Sequence, residues 1–321
     1  MNPVTSNPFI GLSLHPERVC LVEMEEGQIQ AIGARELIQP INVETFYKEG
    51  QFFENQNETI QELYQNSGAN SRELGVVLEE GMVLIKKVSL ALGLEEDMLK
   101  ESLRWEASQS IVSPLDEYIL EYQRLPFQTS LGNPIYLVIL LRKSLLEGIC
   151  ALVEKSGLSL REVDVNVFSS VRALLANYDV GSDETAVIVD VQRRYLTFIF
   201  VRQKEYFLSH RIHLQETGSD SKLDDTSVVN TLVKELKRLI FGHRVGRGIE
   251  DLNRIFLIGG ENLQKVAHEL SETVSVSLET VNPFQRVPVT LSVSQSKEFN
   301  NFPERFVAAV GITLKKMPAR A

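Results

Sequence analysis

The chain has 321 residues, of which 43% are hydrophobic and 24% charged, and its 33 basic and 43 acidic side chains give a formal net charge of −10. This length predicts two compact units, and the apolar fraction is too high for a disordered protein. The net acidity argues against a nucleic-acid-binding protein, which needs a basic face to displace counterions from phosphates.

The distribution of residues disfavours three further classes. Cys20 and Cys150 are too far apart for a zinc ribbon or a disulfide framework, and His210 and His213 point to opposite faces of a predicted strand rather than to one metal ion. The longest apolar run, residues 135–141, is far shorter than the roughly 20 residues of a membrane-spanning helix. We therefore expect a cytoplasmic protein without a metal site and without direct insertion into a membrane.

Three short apolar runs open the chain, and a helix and a further strand follow them. Turn signals separate the runs, and Ile60, Leu63 and Tyr64 share one side of the helix. The predicted elements are strands at 9–14, 18–24 and 28–37, a helix that ends at 67–68 and a strand at 74–79.

The next residues form a module of β-α-β-β-α order, after which a helix at 166–178 leads onward. The predicted elements of the module are strands at 82–90, 118–125 and 134–141, a helix at 95–111 and a helix ending before Gly157.

The first order of elements then recurs. The predicted elements are strands at 186–191, 196–202 and 206–213, a helix with Val229, Leu232, Leu236 and Ile240 on one side, and a strand at 254–258 that runs into Gly259 and Gly260. A β-β-β-α-β plan used twice, with an inserted β-α-β-β-α subdomain, resembles the actin-like (ribonuclease H-like) α/β fold. The domains expected from it are subdomain 1A at 8–80, completed by 303–317, an inserted subdomain 1C at 81–162, a bridging helix at 163–182 and a second domain (2A/2B) at 183–300.

The inserted segment also carries a family resemblance. Residues 105–123 read WEASQSIVSPLDEYILEYQ. This resembles the E-A-x-x-Y-I-P-F-P-L-(D/E)-E-V-x-x-D-(Y/F)-Q pattern of the PilM family of type IV pilus assembly proteins, which are similar to the division protein FtsA. Further matches follow in the family's order at 157–165, 234–238, 257–260, 282–284 and 307–314.

The resemblance implies a scaffold of a pilus machine. Members bind nucleotide between two domains and hold the cytoplasmic N-terminal peptide of a single-span inner-membrane protein, PilN, in a groove beside the inserted subdomain. We therefore expect a PilN-like partner, recruitment to the inner face of the membrane through that partner, proximity to the pilus assembly ATPase and self-association. Trp105 and Glu106 are candidates for the partner interface, although Trp105 is equally compatible with a core position.

The first phosphate-binding hairpin of the actin-like fold, of type D-x-G-x-x-x-T, has lost its functional residues here. Ser13 replaces the magnesium-binding Asp, His15 replaces the Gly and Pro16 replaces a hydroxyl donor, while Cys20 stands where a Lys is expected. Proline has no N–H, so a backbone donor to phosphate is absent as well.

The second hairpin keeps Asp190 and Thr197, but Gln192 replaces its Gly. Arg193 and Arg194 either supply compensating positive charge to a phosphate or are solvated residues at a hairpin tip.

Two further nucleotide landmarks are partly retained. On the helix that lines the adenosine pocket in the family, Glu235 and Arg238 are retained and Leu239 replaces a Ser. Gly259 and Gly260 indicate either close approach of a ligand to the backbone or a tight strand–helix turn. Basic residues on this helix and the following loop form either a solvated face or an anion or acidic-partner site; they are Lys234, Lys237, Arg238, His243, Arg244 and Arg247.

These observations lead us to expect a pseudo-ATPase, with no catalytic residue and only doubtful binding of ATP and magnesium. The function expected is that of a non-catalytic scaffold of a type IV pilus or related machine. The alternative is an ATP-binding conformational switch of the same machine that uses Asp190 and the glycine pair, and a more distant one is a relative of the type II secretion cytoplasmic domain.

Overall fold

The computed structural model describes residues 8–37, 41, 52–214, 225–260 and 263–315. The chain forms two compact units. One comprises Val22–Ile32 and the described residues from Val167 onward; the other comprises Pro8–Leu21 and the described residues of Gly33–Asn166. The segment 303–317, expected to complete the first half, extends two residues beyond the described part.

A five-stranded sheet contains the first three strands and two parallel neighbours, in the order β3-β2-β1-β4-β8. Its strands are β1 Phe9–His15, β2 Arg18–Glu25, β3 Gln28–Glu36, β4 Glu73–Leu78 and β8 Ser159–Val165. Two helices, α1 (Phe52–Ser67) and α3 (Lys143–Lys155), bury their apolar sides in the same core as β1 and β4.

Between β4 and α3 lies a small antiparallel sheet of order β5-β7-β6. It consists of β5 Leu84–Ser89, β6 Tyr118–Gln128 and β7 Pro134–Arg142, and α2 (Glu96–Ser108) packs on one of its faces. The order of elements is the predicted β-α-β-β-α. The last helix, α3, nevertheless packs on the first five-stranded sheet, because Leu145, Ile149 and Leu152 share a core with Ile60 and Leu63 of α1.

A second five-stranded sheet has the order β11-β10-β9-β12-β13. Its strands are β9 Thr185–Val191, β10 Tyr195–Arg202, β11 Glu205–His213, β12 Arg254–Gly259 and β13 Ser277–Thr280. Two helices, α5 (Asp225–Gly242) and α6 (Leu263–Thr273), pack into its core. The other helices are α4 Asn166–Asn177, α7 Leu291–Ser294, α8 Lys297–Asn301 and α9 Val307–Thr313, and short 3₁₀ turns lie at Glu80–Met82, Leu115–Glu117, Ile249–Asp251 and Pro303–Phe306.

The two large sheets have one topology, because in each the strands stand in the order third, second, first, fourth, fifth. The predicted duplication is therefore confirmed and extends to fifth strands, β8 and β13, that the sequence analysis did not identify. It extends to turns as well. The two residues between β2 and β3, Glu26 and Gly27, have φ of 50° and 78°, and those between β10 and β11, Gln203 and Lys204, have 53° and 60°. Both turns thus have the left-handed pair of a type I′ hairpin, which matches the twist of the strands.

None of the described helices is long and apolar enough to span a bilayer.

Candidate functional site

The first predicted hairpin joins β1 to β2. Ser13 and His15 at the end of β1 are buried, as is Cys20 on β2. The Nδ1 atom of His15 accepts a hydrogen bond from the Glu17 backbone at 3.3 Å, and its Nε2 lies 3.9 Å from Glu79 Oε1. The imidazole therefore occupies the space beside the turn that a glycine leaves open.

The backbone N–H and carbonyl groups of this turn form hydrogen bonds within the protein. Its two residues, Pro16 and Glu17, have a single N–H between them, and the bond to His15 uses it. Their carbonyls accept from Ile41 at 2.6 Å and from Leu37 at 2.8 Å. The turn thus offers carbonyl oxygens to the chain that follows β3, and its only donor is already bonded.

The second hairpin joins β9 to β10 in the other unit. Asp190 and Thr197 are cross-strand partners, and both are buried. The Thr197 hydroxyl is fully buried, and no described residue forms a hydrogen bond with it. Arg193 and Arg194 are exposed at the tip of the hairpin, as one of the two sequence readings requires.

Gln192 fills the position where the family pattern has glycine. Its Nε2 donates a hydrogen bond of 2.5 Å to Asp190 Oδ1, and its Oε1 would lie 3.4 Å from a Cβ atom added at Gly260. The side chain thus lies between the retained aspartate and the glycine turn. Its amide is thus bonded to the carboxylate that the family pattern assigns to the magnesium ion. Asp190 and Gln192 are two residues apart, so the alternation of side chains along a strand is a signal in the sequence that they share a face.

The two glycines after β12 have different surroundings. Gly259 has φ of +149°, and a Cβ atom there would lie 2.1 Å from the Val191 carbonyl oxygen. Gly260 has room for a Cβ atom, and its N–H donates to the same carbonyl at 3.0 Å. The fold itself therefore requires a glycine at 259, and the Gly260 N–H forms a hydrogen bond within the turn. Both findings favour the interpretation of this pair as a tight strand–helix turn.

On α5, Glu235 and Arg238 are bonded to each other at 2.6 Å, and Arg238 Nη2 lies 2.9 Å from His210 Nε2 on β11. Since arginine only donates, His210 accepts this bond through Nε2. Burial and the nearby Arg238 lower the pKa of His210, and Glu235 acts in the opposite direction. Leu239, at the family's serine position, is buried in the core of the second half.

The structure brings Asp190, Gln192, Thr197 and the glycine pair together at one end of the second sheet. Ser13, His15 and Pro16 belong to the other unit.

The inserted module presents two different surfaces. On the α2 side, Trp105 is 61% exposed, so it is not a core residue, and Glu106 pairs with Lys86 of β5 at 3.1 Å. The other face of the small sheet carries the half-buried Ile85 and Ile139, which are cross-strand partners. Lys87 follows on the same face, and burial lowers the pKa of its ammonium group.

The doubled five-stranded sheet, with a module inserted after the fourth strand of the first half, defines an actin-like α/β protein. Residues 11–214, more than half of the chain, match the family model described as type IV pilus assembly protein PilM. The chain belongs to this family, and the resemblance read from residues 105–123 is confirmed.

Three solved structures resemble the chain, and the two with TM-scores above 0.5 share its fold. The structure described as the PilM-PilN type IV pilus biogenesis complex is 20% identical with a TM-score of 0.76, and the match covers 95% of this chain and 97% of that one. The ethanolamine utilization protein EutJ from Carboxydothermus hydrogenoformans is 12% identical with a TM-score of 0.52, and the coverages are 98% and 91%. A Bacteroides thetaiotaomicron protein described as having an actin-like ATPase fold and unknown function is 9% identical with a TM-score of 0.47, and the coverages are 88% and 94%.

Proposed function

We propose that this chain is a non-catalytic scaffold of a type IV pilus machine that binds the cytoplasmic peptide of a PilN-like membrane protein and is recruited to the membrane by it. Membership of the PilM family supports the pilus role, and the structural relative solved as a PilM-PilN complex supports the kind of partner. The pilus assembly ATPase is a further expected neighbour.

One observation carries the non-catalytic part of the proposal: the Gln192 amide is bonded to Asp190 where the fold family binds the phosphate and its magnesium ion. The single N–H of the first turn is also used internally. A backbone donor that already has a partner gains little from a phosphate, and a carboxylate that already accepts a hydrogen bond gains less from a magnesium ion, because each existing bond must first be broken.

The nucleotide test is isothermal titration with ATP and magnesium, repeated with ADP. The wild type is expected to give no saturable heat at ligand concentrations approaching about 1 mM, where binding is worth only about 4 kcal/mol. The variant Ser13→Asp/His15→Gly/Gln192→Gly restores the family residues. A gain of saturable ATP binding in this variant would show that the replacements at these positions weaken nucleotide binding. Saturable micromolar binding by the wild type would contradict the pseudo-ATPase proposal and favour the ATP-dependent switch.

The peptide is proposed to lie against the half-buried Ile85 and Ile139 on the face of the small sheet opposite α2. Ile85 and Ile139, which are cross-strand partners, provide the apolar contacts there. An extended peptide bound to a sheet takes affinity from main-chain bonds and specificity from alternate side chains.

A fluorescently labelled peptide from the cytoplasmic N-terminus of the PilN-like protein tests this site by anisotropy. Ile139→Glu is expected to weaken binding at least tenfold, since it places a charge in the apolar contact. Leu131→Glu makes the same kind of change at an exposed turn of the same module and serves as the matched control. Asp190→Ala is expected to leave the affinity unchanged. An Ile139→Glu protein that folds and binds normally would contradict this site.

A further inference from the structure

The outward face of α5 carries exposed basic side chains around one exposed aromatic ring. Lys234, Lys237 and Phe241 recur at helical spacing on one side of the helix, and Phe241 is 78% exposed. We call these three residues, with Arg244 just beyond the helix, the basic face. The opposite side of α5, which includes Leu236, is buried in the core of the second half, so the basic face points away from the sheet.

The positive charge of the basic face is not neutralised by the described residues around it. Glu235 is the one acidic residue within 234–247, and its carboxylate pairs with Arg238 at 2.6 Å, outside the basic face. None of the described acidic side chains forms an ion pair with the two lysines or with Arg244. Residues 234–247 have a net charge of 5 − 1 = +4, so the rest of the chain has −10 − 4 = −14.

Arg244 stands at a position that favours glycine. Its φ is +53°, and its N–H bonds to the Phe241 carbonyl at 3.2 Å while the Val245 N–H bonds to the Ile240 carbonyl at 2.9 Å. This is the left-handed C-terminal cap of a helix, which α3 forms with Gly157 at φ of +73°. An arginine is strained in that conformation relative to glycine, so the local backbone does not account for a basic side chain there.

We propose that the basic face binds the anionic headgroups of a membrane surface, with the ring of Phe241 in the interfacial layer. Each Lys or Arg close to an anionic membrane strengthens binding about fivefold, and an exposed aromatic ring adds an interfacial contact. An anionic membrane repels the charge of −14 on the rest of the chain. The contact therefore orients the molecule with α5 toward the membrane.

A membrane is favoured over an acidic protein because of the proposed function, on which this step rests. A chain held by the cytoplasmic peptide of a membrane protein stays close to the headgroups, so a weak second contact raises the overall affinity through effective concentration. The basic face and the Ile85 and Ile139 side chains proposed for the peptide belong to different units, so the two contacts use separate residues.

The experiment mixes the full chain, without peptide, with two kinds of vesicle and measures the bound fraction by sedimentation of the vesicles. One kind is phosphatidylcholine alone, and the other is phosphatidylcholine and phosphatidylglycerol in equal parts. The wild type is expected to bind the anionic vesicles at least about tenfold more strongly than the neutral ones. Binding is expected to be lost as salt rises from about 0.1 M to about 1 M, since the Debye length shortens from about 10 Å to about 3 Å.

Two variants change the basic face, and each has a matched control on the inserted module. Lys237→Glu is expected to weaken binding to the anionic vesicles at least about tenfold, while Arg104→Glu on α2 makes the same change in formal charge, from −10 to −12, and is expected to have little effect. Phe241→Ser is expected to weaken binding severalfold, and Leu131→Ser is its control. All four side chains are exposed, so circular dichroism is expected to show the wild-type fold.

A wild type that does not sediment with the anionic vesicles at low salt overturns the proposal. Equal losses in Lys237→Glu and Arg104→Glu do so as well, because binding would then follow total charge and not the basic face. Binding of soluble poly-glutamate without binding of vesicles would assign the face to an acidic protein instead. Lys237→Glu is expected to bind the PilN-like peptide normally in the absence of vesicles, so a failure of the membrane contact and a failure of the peptide site give different results.

Discussion

Gly259 and Gly260 are adjacent, and the sequence assigns them one role, yet only one of them is fixed by its surroundings. At Gly259 an added Cβ atom would meet Val191 backbone atoms from 2.1 to 3.0 Å away, and φ is +149°. We expect Gly259→Ala to lower the free energy of unfolding by about 3 kcal/mol or more, because backbone atoms cannot move aside as a side chain can.

Gly260→Ala is the matched comparison for that change. Its Cβ atom would be 3.4 Å from the nearest atom, Gln192 Oε1, so a loss within about 1 kcal/mol is expected. Urea unfolding of both variants measures the difference. Equal losses would contradict the assignment of the steric restriction to Gly259 alone.

A second residue-scale prediction concerns His210 and pH. Burial and Arg238 lower the pKa of His210 in the folded protein below its ordinary value of about 6.5, so at slightly acidic pH the unfolded chain binds more protons at this residue. The stability contributed by the neutral ring is present above pH 6.5 and is lost as pH falls from there through the folded-state pKa.

Unfolding free energies measured between about pH 7 and 5 test this assignment. His210→Gln keeps an acceptor for Arg238 and does not titrate, so its stability is expected to decline less over this range than that of the wild type. A parallel decline in both proteins would place the titrating group elsewhere.

At the scale of elements, local patterns predicted most of the helices and strands. β1, β4 and β9 are mostly apolar and are buried along nearly their whole length, and apolar spacing marked α4 and α5, because burial on a defined face produces a periodic pattern in the sequence. The sequence pattern of the fifth strands, β8 and β13, is weaker. In β8 one of the seven side chains is exposed and the last two are buried, without alternation, and β13 is four residues long, so long-range pairing rather than pattern defines these two strands.

The candidate site was predictable in part for the same reason. The replacements at Ser13, His15 and Pro16 are visible in the sequence, since a family pattern names the residues that are missing. The bond from Gln192 to Asp190 and the contact that fixes Gly259 depend on atoms of separate strands, and only the structure supplies them.

Helix ends provide a prediction at this scale. Arg244→Gly is expected to raise the free energy of unfolding by about 1 kcal/mol, because it relieves a left-handed conformation at the end of α5. Gly157→Ala at the end of α3 is the converse control, and thermal unfolding is expected to show a loss of similar size.

At the scale of the whole molecule, the inserted module is joined to the first half through two neighbouring strand ends. Leu84 of β5 and Leu140 of β7 are cross-strand partners, and α2 supplies a core of its own for the small sheet. An Asn-Gly turn in place of residues 85–139 is therefore able to connect the cut ends, since a two-residue turn joins paired residues of a hairpin.

We expect the protein with this replacement to unfold cooperatively, as judged by circular dichroism on heating, and to lose binding of the PilN-like peptide. Removal of 81–162, the module bounds expected from the sequence, also deletes the first four of the seven residues of β8 and the whole of α3 with Leu145, Ile149, Leu152 and Val153. Burial of each is worth about 1.5–3 kcal/mol, so the loss is comparable with the total stability of a domain, about 5–15 kcal/mol. The protein without 81–162 is expected not to fold. If instead it folded and the protein with the 85–139 replacement did not, α3 would belong to the module and not to the first sheet.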